Sequence, residues 1–232
     1  MTFLIWLAVI PGLYLILRVY KLDKQEKEPA MLIFMLILLG AVSVFPIAFL
    51  ENCLDGLFVS MLNTRGIVYM LIENFIVVAL LEEVGKFFIM ERCSWNNPAF
   101  NYHFDGIVYA VCTGMGFAIA ENIMYVVRYG FETAVIRMLT AIPAHCIFAI
   151  FMGHYYGASK AAEIAGDRAG YAYARKMSLI VPIVLHGGYD VVAALDSFIG
   201  TIIFIVAVVA LDIVAVIRLH QYSREDRPVS NQ

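Results

Sequence analysis

Long apolar runs recur seven times along the 232-residue chain, at about 2 to 20, 30 to 50, 66 to 90, 106 to 128, 136 to 157, 177 to 195 and 198 to 219. A helix needs roughly 20 apolar residues to cross the hydrocarbon layer. Backbone inside lipid must satisfy its own hydrogen bonds, so runs of this length can only be spanning helices. The expected fold is therefore all-α, a polytopic membrane helix bundle of about seven transmembrane helices. The runs leave only short connections, which predicts a single transmembrane domain over residues 1–220. Residues 221–232 are expected to form a polar, disordered cytoplasmic tail. The first run lacks a basic start and is interrupted by Pro11 and Gly12, so it reads as a retained helix and not a cleaved signal.

Composition supports this and excludes other classes. The chain is 62% hydrophobic and 15% charged, against about a quarter charged in soluble domains. Sixteen Lys and Arg against 19 Asp and Glu give a net charge of -3, which argues against a nucleic-acid partner. Basic residues gather on the cytoplasmic side of membrane proteins. Alternate connections here carry 12 and 3 of them, Arg65, Arg128 and Arg137 being the minority set, and Lys86 lies inside the third run. This predicts an N-terminus outside and a C-terminus in the cytoplasm. The four cysteines show no CxxC spacing and read as small apolar fillers.

The informative residues are the polar ones inside the runs. Glu82, Glu83, Lys86, Glu121, Asn122, His145, His186 and Asp190 all fall there, and a central charge costs about 2.5 to 3.5 kcal/mol on insertion scales. A cluster this costly is a functional-site hypothesis. At about 100° per residue, Glu82 and Glu83 cannot point the same way, yet Lys86 is four residues from one and three from the other. The expectation is that Lys86 neutralises one carboxylate and leaves the other for acid or base work. Either could be the base. His186 and Asp190 are four apart and share a face, so the carboxylate can orient the ring.

Small residues recur every four positions at Gly106, Ala110, Gly114 and Ala118, continuing to Asn122, and again at Ala149, Gly153 and Gly157 after His145. Such stripes let helices approach closely. Asn122 reads either as an interhelical hydrogen bond or as a catalytic amide, with Glu121 bordering the seam. Pro143 and Pro182 are expected to open the helix beside His145 and His186. His154 and Glu73 are each nine residues from a site group, on the opposite helix face, and are excluded; Asp105 reads as an N-cap. At about 1.5 Å per residue, the depths of Glu82, Glu83, Glu121, His145 and His186 let one cavity hold all five.

The segments LLEEVGKFF, FDGIVYAVCTGMGFAIAEN, PAH and LHGGYD, between Leu80 and Asp190, resemble the PrsW family of bacterial intramembrane proteases. That family is distantly similar to the CAAX-protease and bacteriocin-processing superfamily. In this comparison Glu82 and Glu83 match the paired glutamates, Phe117 and Glu121 match a Phe-xxx-His element, and His186 and Asp190 match a His-xxx-Asn/Asp element. Glu121 stands where the superfamily has histidine. The resemblance implies a multi-pass protein of the bacterial plasma membrane that cuts a single-span anti-sigma factor, the first step of regulated intramembrane proteolysis.

Two water-activating schemes are open. In one, Glu82 or Glu83 takes a proton from water held with His186, while Asn122, His145 or Lys86 polarises the carbonyl. In the other, His145, His186 and a glutamate, Glu121 among the candidates, hold Zn2+ and another glutamate is the base. No HExxH motif is present. A proton- or ion-coupled transporter would use the same buried cluster, although no internal repeat supports it.

Overall fold

The computed structural model describes residues 2–62 and 66–230. Among these the protein is almost wholly helical, with no β-strand. Helix α1 spans Thr2–Leu22, α2 Ala30–Leu62 and α3 Ile67–Ile72; a π-helical segment, Glu73–Ala79, leads into α4, Leu80–Ser94. Then follow α5 (Asp105–Tyr129), α6 (Phe131–Leu139), α7 (Ala141–Ile164), α8 (Arg168–Ala193) and α9 (Phe198–Arg224). Six helical stretches are long and apolar enough to cross a bilayer. The third expected span is helical from Ile67 to Ser94, but its middle is π. Arg65, counted among the basic residues above, lies outside the described residues.

Helix α5 is the axis of the bundle. The most apolar stretch of α5 is 72% buried, against 17% for α9, and it packs on α1, α2 and α7. The outer faces carry Phe34, Phe45, Phe49, Ile199, Val206 and Ile217 in the open, as a lipid-facing surface requires. The two small-residue stripes meet each other. A Cβ built on Gly106 would lie 2.6 Å from Gly153 O, and one on Gly153 would lie 2.4 Å from Gly106 O and from Ile107 Cα. Real Cβ atoms do not tolerate backbone at that distance, so α5 and α7 touch only because both residues are glycine. This seam brings the helix bearing Glu121 against the helix bearing His145. Gly40 and Gly116 make the corresponding close approach between α2 and α5.

Replacing Gly153 by Ala is therefore expected to destabilise the bundle by about 1–3 kcal/mol, the usual cost of overpacking. Gly56→Ala, where a Cβ meets nothing within 4 Å, should be neutral or slightly stabilising. Thermal unfolding of the two variants in detergent checks this, and equal midpoints would rule out the close seam.

Several sequence expectations change. Pro143 sits in the first turn of α7, after Thr140, where its missing N–H has no helical partner to lose; of the two prolines expected to open a helix beside a site histidine, Pro182 alone lies well inside its helix. Asp105 is the first residue of α5 and not its N-cap. Its side chain reaches backward to accept the N–H groups of Asn101 (2.9 Å) and Tyr102 (2.6 Å). Of the tail expected to be disordered, the part up to Ser230 is docked, and Asn231 and Gln232 lie outside the described residues. Helix α9 continues to Arg224, and beyond it His103 N–H donates to Arg227 O, Val229 N–H to Asn101 O and Phe104 N–H to Asp226 Oδ1. Arg175 pairs with Glu91 and Lys160 stacks over Trp95 at 4.6 Å, so the basic ends of these helices gather at one end of the bundle.

Candidate active site

Glu82 and Glu83 open α4 directly after the π segment. Lys86, one turn on, bonds both carboxylates, at 2.7 Å to Glu82 Oε2 and 2.8 Å to Glu83 Oε1. The expectation that it would choose one fails for a simple reason: an ammonium has three donors and a four-carbon stem, so it can sit between residues at i-3 and i-4. Its charge also lies over the Phe117 ring, 4.2 Å from the centroid. All three ionic side chains are buried.

Neighbouring helices extend this core into one ionic chain. His186 Nδ1 lies 2.9 Å from Glu83 Oε1, and its Nε2 lies 3.2 Å from Asp190 Oδ2, an ion-pair distance without hydrogen-bond alignment. His145 Nδ1 lies 3.3 Å from Lys86 Nζ, and its Nε2 lies 3.1 Å from Glu121 Oε2. The two imidazoles meet edge to face at 5.2 Å, with Phe148 stacked on His186. Four spans thus supply alternating acids and bases, and almost every polar atom is satisfied within the chain. Gly187, beside His186, leaves room for the Phe75 ring of the π segment, which a Cβ would meet at 2.4 Å.

Glu82, Glu121, His145, His186 and Asp190 line a cavity of about 530 Å³. Glu83 and Lys86 stand behind its wall, as does Asn122, which bonds Ala8 O at 3.4 Å and accepts from Arg137 Nε at 3.0 Å. Of the two readings of Asn122, the interhelical bond is the one realised. His154 stacks on Tyr222 at 3.9 Å, away from the cavity.

Five acidic or basic side chains at the cavity, Glu51, Asp55, Glu73, Arg128 and Arg137, escaped sequence reasoning. Arg137 of α6 pairs with Glu121 at 2.9 Å and covers the Tyr125 ring at 3.9 Å; a lone Arg beside an apolar run was its only signal. Glu51 lines the cavity because α2 continues past the apolar run. Glu73 lines it too, contrary to the helical-wheel expectation. The wheel assumed uniform α geometry over nine residues, whereas the wider turn of the π segment changes the phase between Glu73 and Glu82.

The donor set decides what the site could hold. One ligand atom each from Glu82, Glu83, His145 and His186 lie within 4.8 Å of one another. Two imidazole nitrogens with carboxylate oxygens suit zinc. The geometry groups the histidines with Glu82 and Glu83, while Glu121 is engaged by Arg137 and the far nitrogen of His145. Lys86 Nζ lies 2.7 to 3.3 Å from three of these four residues. Ammonium and metal ion are thus alternative carriers of the same positive charge.

The fold and site define a polytopic membrane protein with a polar cavity of about 530 Å³ walled by buried carboxylates and imidazoles. Comparison with known proteins makes the class specific: residues 28–217 match the PrsW family intramembrane metalloproteases, and the chain belongs to that family. It is 36% identical to Protease PrsW of Geobacillus kaustophilus over 81% of this chain and 78% of that protein. It is 33% identical to Protease PrsW of Bacillus subtilis (83% and 84%) and 34% identical to that of Oceanobacillus iheyensis (91% and 92%). No solved structure matches the chain. The protein is therefore a multi-pass membrane peptidase, which decides against the transporter alternative.

Proposed function

We propose that the cavity hydrolyses a peptide bond in or near the membrane segment of a single-span protein, an anti-sigma factor by family resemblance, with Glu82 as general base. The bundle end that carries most basic residues faces the cytoplasm in this reading. The observation that supports it most is the unequal placement of the two glutamates. Glu82 faces the cavity with one oxygen held by Lys86, whereas Glu83 is spent on Lys86 and His186 behind the wall.

Water in the cavity gives its proton to Glu82, whose other oxygen Lys86 holds in place. Glu83 holds the His186 ring at Nδ1, with Asp190 at ion-pair distance from Nε2, so the ring is oriented beside the water. His145 also lines the cavity, and its Nε2–H, which Glu121 accepts in the substrate-free site, is the donor that turns to polarise the scissile carbonyl. Were zinc bound, His145, His186 and Glu82 or Glu83 would hold it, and the ion would acidify water and polarise the carbonyl.

Purified protein in proteoliposomes with a single-span anti-sigma substrate tests the reading. Cleavage is expected from the wild type. If Glu82→Gln, Glu83→Gln and His186→Ala all cut at the wild-type rate, the assignment is wrong. Chelation followed by zinc re-addition, with metal analysis of the same sample, separates the two carriers of charge. Cleavage that survives chelation in metal-free protein is the expected result for the Lys86 scheme, and loss restored by zinc is the result that replaces it.

A further inference from the structure

Outside the cavity, three carboxylates converge where the α1–α2 connection meets the start of α5. Asp23, Glu28 and Asp105 are 1%, 3% and 0% exposed, and each offers an oxygen within 4.8 Å of the others. They are held from behind. Tyr109 Oη donates to Glu28 Oε2, and backbone N–H groups of Asn101 and Tyr102 donate to Asp105 Oδ2. The remaining oxygens, Glu28 Oε1, Asp105 Oδ1 and both of Asp23, are buried with no hydrogen-bond partner among the described residues. The nearby ammonium of Lys27 donates to the carbonyls of Tyr20 and Asp23 and makes no hydrogen bond to any of these carboxylate oxygens.

Buried carboxylates persist when paired or bound to a metal. A proton shared between Glu28 and Asp105 would still leave Asp23 unserved. We propose that Asp23, Glu28 and Asp105 form a binding site for a hard divalent cation, Ca2+ or Mg2+, separate from the proteolytic cavity. The donor set is all oxygen, which selects such ions over zinc. The bound ion ties the α1–α2 connection to α5, beside the turn that the C-terminal segment clamps.

The test uses full-length protein in detergent, stripped with EDTA and desalted, carrying Glu82→Gln and His186→Ala so that the cavity donors contribute little. Titration with MnCl2, read by electron paramagnetic resonance, is expected to show one bound ion per chain, displaced by Ca2+ or Mg2+. The stronger competitor identifies the preferred ion. The unfolding midpoint should rise by about 5–10 °C at a hundredfold excess over Kd. Asp23→Asn and Glu28→Gln should each weaken binding at least as much as the roughly 10- to 100-fold typical of groups that only support a ligand. Should one of the two variants fail to fold, the other together with the stoichiometry decides. Absence of bound Mn2+, a midpoint indifferent to all three ions, or unchanged binding in the variants overturns the proposal.

Discussion

Replacing Glu82 by Gln is expected to slow peptide cleavage by about 10²- to 10⁴-fold, the range that a positioned general base contributes, with the bundle still folded. The substitution keeps the shape of the side chain and an acceptor oxygen for Lys86, which also retains its 2.8 Å bond to Glu83. What is lost is the ability to take a proton from water in the cavity that Glu82 lines. Glu83→Gln is expected to act differently. Its carboxylate oxygen accepts from both Lys86 and His186, so the amide weakens two buried charge-assisted bonds and loosens His186, lowering the unfolding midpoint together with activity. Paired measurements of cleavage in proteoliposomes and unfolding in detergent separate the roles. Full activity in Glu82→Gln alongside an inactive but stable Glu83→Gln would interchange them.

Lys86→Met should have the largest effect on stability. Breaking a buried ion pair by removing one partner costs about 3–5 kcal/mol, because the other charge stays behind without compensation. Here one ammonium serves two buried carboxylates at 2.7 and 2.8 Å and lies 3.3 Å from His145. That cost is a large share of the roughly 5–15 kcal/mol that keeps a protein folded. The triple variant Glu82→Gln, Glu83→Gln, Lys86→Met removes the charges along with their partner. It should recover much of the lost stability and none of the activity. Unfolding midpoints of the two variants provide the measurement: Lys86→Met as stable as wild type would mean that the carboxylates have another counter-charge, and an unrecovered triple variant would point to lost packing.

The contrast between these two variants follows from how much of the site could be read along one helix. Lys86 and its glutamates, and His186 with Asp190, were visible as i,i+3 and i,i+4 neighbours, and the structure keeps those contacts. The contact of Glu83 with His186 joins α4 to α8, across 103 positions, and no periodicity encodes it. The small-residue stripes announced two close helix approaches without naming partners. Only the packed structure shows that they face each other, Gly106 on Gly153. Glu73 was misplaced because the wheel presumed α geometry through a π segment, and Arg137 because its helix was read as the start of the next span.

Sequence alone determined the class of fold and the identity of the costly residues, since lipid forces long apolar runs into helices and penalises every polar group inside them. It also determined local pairs, because helical rise and turn fix neighbours within four residues. The rotation of each helix about its axis was decided only in the tertiary structure. That rotation turns Glu82 to the cavity and Glu83 to His186 and brings Glu51 and Arg137 to the wall, while docking of the α1–α2 connection against α5 collects Asp23, Glu28 and Asp105 at a second place. Helix rotation is set by packing between segments far apart in the chain, through contacts as specific as glycine against backbone, and that information does not reside in any one run of residues.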